Sequence, residues 1–245
     1  MYKGKKILGL VTARGGSKGI PGKNIKILGD KPLLAYSILA AQQSQVLDRI
    51  VLSTDDQKIA DVGKKLGVEV PFIRPTALAV DTASSLGVVQ HAVEWLRGHE
   101  QYFPDFVIIL QPTSPLRQAF HIKEAIDLLL SSDFDSVLSV GLIPENFNPS
   151  KAMIINEEGS LRLFSGRLVG ERVARRQELK DAYWSTGAIY AFKTELVLSK
   201  ENPNFYGNRV MPYVVEDKYT IDINTPDDWQ KAEMVLRDLK INNLN

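Results

Sequence analysis

The sequence predicts an α/β fold with a doubly wound, mostly parallel sheet. Two observations carry this. Short apolar runs without polar alternation recur along the chain, as in strands buried on both faces. They alternate with segments whose apolar residues follow a 3.6-residue period, and this βαβα order places helices on both sides of a parallel sheet. A chain of 245 residues is long enough for one large α/β domain.

The elements follow in order. "KILGLVTA" (6–13) reads as the first strand, and "PLLAYSILAAQQS" (32–44) as a helix with Pro32 near its start. "RIVLSTD" (49–55) is a strand. "DDQKIADVGKKLG" (55–67) is a helix with acids first, lysines last and Gly67 as its stop. "DTASSLGVVQHAVEWLRG" (81–98) is a helix opened by Asp81 or Thr82 as cap. "DFVIILQPT" (105–113) and "DSVLSVGLI" (135–143) are strands on either side of the helix "AFHIKEAIDLLLSS" (119–132). From Pro144 to Ala182 the pattern loosens, and the short runs "AMII" and "LRLF" suggest a hairpin in an insertion that projects from the sheet. Strands resume with "STGAIYAF" (185–192) and "RVMPYVVE" (209–216). "IDINTPDDWQKAEMVLRDL" (221–239) is a strand end followed by a last helix. Residues 1–143 and 183–245 thus form the α/β domain, with 144–182 inserted.

Composition narrows the function. The net charge is +1, so the chain as a whole is no nucleic-acid binder. Without cysteine it has no disulfide, thiolate metal site or cysteine nucleophile. No apolar stretch approaches the roughly 20 residues that span a bilayer, and the short opening run is read as a strand rather than a signal peptide. A cytoplasmic protein is expected. His91, His99 and His121 lack metal-ligand spacing and read as filler.

Basic character is local. "ARGGSKGIPGKN" (13–24) places four glycines and the cations Arg14, Lys18 and Lys23 straight after the first strand. Glycines there let backbone N–H groups approach a phosphate, and cations neutralise it. The loop has no G-x-G, and it lacks the first glycine and the Ser/Thr of a P-loop, so neither named phosphate motif applies.

The loop resembles the CTP-binding signature of acylneuraminate cytidylyltransferases, a family that includes the legionaminate and pseudaminate enzymes. "RPTALAVDTASS" (74–85), "LQPTSPLR" (110–117), "STGAIY" (185–190) and "IDINTPDDW" (221–229) fit the same family in the same order. The resemblance spans residues 7 to about 238 and implies a nucleotidyltransferase fold of Rossmann type with a dimerising insertion. It implies transfer of CMP from CTP to a nine-carbon 2-keto sugar acid, with Mg²⁺ as cofactor, pyrophosphate as product and a homodimer as the assembly. Legionaminate, pseudaminate or the eight-carbon Kdo are alternative sugars, and a non-catalytic nucleotide-binding module is the alternative of another class.

By the same resemblance Arg14, Ser17, Lys18, Lys23 and Asn24 hold the triphosphate, with Arg14, Lys18, Lys23 and Asp222 catalytic. Arg74 and Ser85 surround the nucleotide. By residue type alone, Arg74 before Pro75 also reads as an exposed loop cation, and "DTASS" as a helix cap. Gln111 and Thr113 match sugar-contacting positions. Tyr190, Phe205 and Tyr206 match an aromatic embrace of the N-acyl group, although Tyr190 also reads as a core tyrosine. Lys151 and Arg176, both in the insertion, match the cations for the sugar carboxylate. Asp222 and Asn224 stand where many members carry two metal-binding aspartates. Residues two apart on a strand face one way, so both side chains would reach one cation. Two departures stand out: Asn224 brings no charge, and Trp184 replaces an arginine of some members. Thr225, Pro226, Asp227 and Asp228 read as the cap and first turn of the last helix.

Overall fold

The computed structural model describes residues 1–172 and 179–242. Its centre is a six-stranded sheet built from β1 (Ile7–Thr12), β4 (Arg49–Ser53), β5 (Phe106–Leu110), β6 (Ser136–Leu142), β9 (Tyr183–Lys193) and β10 (Val210–Val214). Their spatial order is β10-β6-β9-β5-β1-β4. β1 pairs in parallel with β4 and β5, and β10 in parallel with β6, while β9 runs antiparallel between β5 and β6. The sheet is therefore mostly parallel, as expected.

Successive residues of a strand face opposite sides. Ile7 and Val11 of β1 enter one core, Leu8 and Leu10 the other. The first core is covered by α1 (Leu33–Ser44), α4 (Ala119–Leu130) and α6 (Pro226–Asn242), and takes Ile59 from α2 (Gln57–Lys65). The second is covered by α3 (Ser85–Glu100) and the short α5 (Thr194–Leu198). Burial on both sides is why these strands carry apolar residues without alternation. Burying each such Leu or Ile side chain contributes about 1.5–3 kcal/mol.

Helix starts are set by side chains that accept the free N–H groups of the first turn. Asp56 accepts from Lys58 N at 2.7 Å and from Ile59 N at 3.2 Å, which starts α2 two residues later than expected. Ser84 accepts from Gly87 N and caps α3, so neither Asp81 nor Thr82 is the cap. Thr225 and Asp228 cap α6 reciprocally. The stretch 221–224 is not a strand: it has no ladder partner and is tied to the turn after β5 by Ile223 N donating to the Thr113 carbonyl at 2.7 Å.

A small antiparallel pair, β2 (Ile27–Leu28) and β3 (Lys31–Pro32), follows the glycine-rich loop and leads into α1. Between β6 and β9, β7 (Met153–Ile155) and β8 (Leu161–Leu163) form a two-stranded antiparallel sheet of their own. Among the described residues no helix is long and apolar enough to cross a membrane.

Candidate active site

A cavity of about 500 Å³ lies at the carboxyl ends of β1 and β5. Ligands of open α/β sheets bind at that edge. Four segments distant in sequence meet there: the loop after β1, the segment from Arg74 into α3, the turn after β5 and the stretch before α6.

The loop supplies Arg14, Ser17, Lys18, Lys23 and Asn24 to the cavity wall. Its shape is held from several sides. Gly15 N donates to Asp55 Oδ1 at 3.1 Å, and Asn24 Nδ2 donates to the Arg14 carbonyl at 2.9 Å. Asn24 is buried, so its amide shapes the loop as well as lining the cavity. Lys23 Nζ donates to the Ile223 carbonyl at 2.8 Å. Burial holds the Lys23 ammonium below its ordinary value, and the neighbouring Asp222 works against that shift. A Cβ on Gly19 would stand 2.6 Å from the Asn224 carbonyl oxygen, so only glycine lets the loop and this stretch approach so closely.

The opposite wall holds Arg74 and Ser85. Arg74 is 5% exposed and no surface cation. Its Nη2 donates to the Ser53 carbonyl at 2.8 Å, and burial lowers its pKa. Its Nε is buried without a protein partner at the cavity wall. Ser85 is the first residue of α3, after the capping Ser84.

At the sheet edge stand Gln111 and Thr113, with Asp222 and Asn224 beside them. Asp222 Oδ2 accepts from Asn224 Nδ2 at 2.7 Å, while Asp222 Oδ1 is buried without a hydrogen-bond partner. The two side chains meet although the strand geometry invoked for them is absent. Among the described residues no group of three or more His, Cys, Asp or Glu side chains is arranged to hold a metal.

A family model described as cytidylyltransferase matches residues 8–240. The chain belongs to the cytidylyltransferase family. This cytidylyltransferase is 34% identical over 238 residues to the CMP-N,N'-diacetyllegionaminic acid synthase of Legionella pneumophila, covering 94% of this chain and 96% of the relative. It is 34% identical over 232 residues to a pseudaminic acid cytidylyltransferase of Campylobacter jejuni, covering 95% and 97%. A solved structure of CMP:2-keto-3-deoxy-manno-octonic acid synthetase complexed with CTP aligns with a TM-score of 0.68 at 18% identity, over 95% of this chain and 99% of that one. That likeness establishes the nucleotidyltransferase fold.

Other expected residues stand apart from the cavity lining of the cytidylyltransferase. Tyr190 pairs in register with Ile109, which does line the cavity, and its hydroxyl lies 3.2 Å from Ser185 Oγ. Tyr190 and Phe205 pack on the same apolar core as α3. Phe205 packs at a tilt against Phe192, with ring centroids 5.2 Å apart, and meets Tyr206 edge-on at 6.3 Å. Burial, then the proximity of Tyr190, push the Tyr206 hydroxyl up. The three aromatics therefore form one group beside the cavity. Lys151 is ion-paired with Glu145 at 3.1 Å. Arg176 lies outside the described residues.

Two site residues escaped the sequence reading. Arg117 is 2% exposed and gives its hydrogen bonds to neutral oxygens: the Ala188 carbonyl at 2.6 Å, Ser37 Oγ at 2.9 Å and the Gln111 carbonyl at 2.6 Å. Burial pushes its guanidinium down to about 9. It braces the turn that presents Gln111 and Thr113. Asp81, read as a cap, lies instead in the cavity wall and pairs with Arg14 at 2.8 Å and with Lys18 at 2.5 Å.

Proposed function

We propose that this cytidylyltransferase transfers CMP from CTP to the anomeric hydroxyl of a nine-carbon 2-keto sugar acid of the N-acylneuraminate type, releasing pyrophosphate. The observation that carries the reading is the convergence of Arg14, Lys18, Lys23 and Asp222 on one cavity, opposite Arg74 and Ser85. The two 34%-identical relatives, named for legionaminic and pseudaminic acids, support a substrate of this class.

In this reading the sugar oxygen attacks the α-phosphorus in line and the bond to the β-phosphate breaks. Such a reaction asks the protein for positioning and charge neutralisation rather than covalent help. Arg14, Lys18 and Lys23 hold the triphosphate and take up charge as pyrophosphate leaves. Ser17 and Asn24 fix the loop around it. Arg74 and Ser85 flank the nucleotide, and Gln111 and Thr113 meet the sugar. Tyr190, Phe205 and Tyr206 supply an apolar wall for the N-acyl group, and the insertion brings Lys151 and Arg176 to the sugar carboxylate.

The donor set suits Mg²⁺. The buried, unpartnered Asp222 Oδ1 lies beside an Asn224 amide, and this cation is bound through one or two protein oxygens plus phosphate and water. When bound, the cation neutralises charge building on the α-phosphate. Asn224 adds neither charge nor base, so Asp222 is the one carboxylate of the pair. The exposed apolar residues of the 144–182 segment support a homodimer joined through it. CTP as substrate implies a cytoplasmic enzyme.

The test is pyrophosphate release with Mg²⁺ and CTP, ATP or GTP, against N-acetylneuraminate, legionaminate, pseudaminate and Kdo. CTP with a nine-carbon acid should turn over fastest. Equal turnover with ATP, or none with any acid, would end this reading.

A further inference from the structure

The ion pairs of Asp81 are the part of the site that the proposed reaction leaves unused. Asp81 lies between Arg74 and the start of α3, in the wall of the same cavity as the glycine-rich loop. One carboxylate oxygen meets Arg14 Nη1 at 2.8 Å, and the other meets Lys18 Nζ at 2.5 Å. Lys18 first and Arg14 second hold the carboxyl below the usual carboxylate range. Helix capping does not account for this residue, because Ser84 performs it. Nor does fold stability, because ion pairs this exposed contribute little. The pairs do fix where two long, solvated cationic side chains stand, and they tie one lip of the cavity to the other.

We propose that Asp81 is an internal stand-in for the nucleotide's phosphates: its carboxylate and the polyphosphate tail compete for Arg14 and Lys18, and ligand entry exchanges one anion for the other. This rests on the reading of the loop as the triphosphate site. A polyphosphate reaching those cations brings several negative charges close to a carboxylate in the same wall, so the two anions do not share the cations at equal strength. The exchange has two effects. The cations are gathered in advance, which reduces the side-chain freedom lost on binding. The returning carboxylate also weakens the hold on departing pyrophosphate, so the site binds polyphosphate less tightly than its cations alone would and releases it faster. A buttress that stayed in place to orient Arg14 would have the opposite sign, since removing it would weaken binding.

The experiment compares the 245-residue chain with its Asp81→Asn variant, which keeps the shape and removes the charge. Calorimetry measures the affinity of each for pyrophosphate and for CTP at low and at high salt. The variant is expected to bind both about three- to tenfold more tightly, with the gain shrinking as salt screens it. In a Lys18→Met background the same substitution should gain less, because one contested cation is gone. Unchanged or weaker binding by Asp81→Asn, with wild-type binding measurable, overturns the stand-in and leaves the triphosphate reading standing. Failure of both proteins to bind either ligand overturns both.

Discussion

The main chain of Gly19 passes so close to Asn224 that a Cβ at Gly19 would lie 2.6 Å from the Asn224 carbonyl oxygen. This contact sets the distance between the loop cations and Asp222. Gly19→Ala is expected to push the loop away from the 221–225 stretch. A misplacement near 1 Å lowers turnover on the order of 100-fold. Thermal stability should change little, since the contact joins two surface segments. Steady-state kinetics with CTP, beside a melting curve, checks the split.

Asp222 and Asn224 share a hydrogen bond but not a role. Asp222→Asn removes the carboxylate whose Oδ1 is buried without a partner, and should lower single-turnover pyrophosphate release on the order of 100-fold or more. Asn224→Ala should retain activity within about tenfold, since a neutral amide is lost. Similar activity in the two variants would move the metal away from Asp222.

His121 gives the fold an acid-sensitive point. It is 3% exposed, packs against Phe120, Tyr213 and Tyr219, and accepts Gln118 N at its Nδ1, 3.0 Å away. Burial pushes its pKa down from 6.5 to about 4, with Glu124 opposing. The unfolded chain therefore takes up this proton first. The contribution to stability is complete above pH 6.5 and is lost as pH falls towards about 4. Protonation at Nδ1 also removes the acceptor that holds the start of α4. Tm should fall across that window, and His121→Gln should flatten this part of the profile.

The 144–182 segment exposes Phe147, Ile155 and Phe164, each more than 70% accessible. Paired substitution Ile155→Asp with Phe164→Asp is expected to convert the proposed dimer to monomer in analytical ultracentrifugation, with an unchanged circular dichroism spectrum. A dimer that persists would place the interface elsewhere.

The sheet was legible because consecutive residues such as Val107, Ile108, Ile109 and Leu110 leave no polar alternation, and only burial on both faces produces that pattern. The loop was legible because glycines and cations following a strand have few structural uses. Other features depend on distant contacts. α5 has five residues, too few for a periodic signal, and its Val197 is buried by the tertiary fold. The 221–224 stretch reads as a strand end, but it pairs with no strand of the sheet, and its Ile223 bonds to the turn after β5 instead. Arg117 looks like a surface cation by type. Only the meeting of β5, β9 and α1 supplies the oxygens that make its burial tolerable. Asp81 has the local sequence of a helix cap, and its actual partners lie more than 60 residues upstream.

The two ends of the 144–182 segment leave the sheet side by side. Leu142 pairs with Tyr183, and Ile143 N donates to the Ala182 carbonyl at 2.8 Å. The sheet itself therefore supplies the closure of this long connection. The entropy of closing a flexible segment grows only with the logarithm of its length, about 0.6 kcal/mol for each doubling. Insertions and deletions between those feet leave the register of β6 and β9 untouched. Among the described residues, the segment that carries the proposed contact between subunits thus meets the sheet at neighbouring feet on β6 and β9, and its length can vary while those strands keep their pairing.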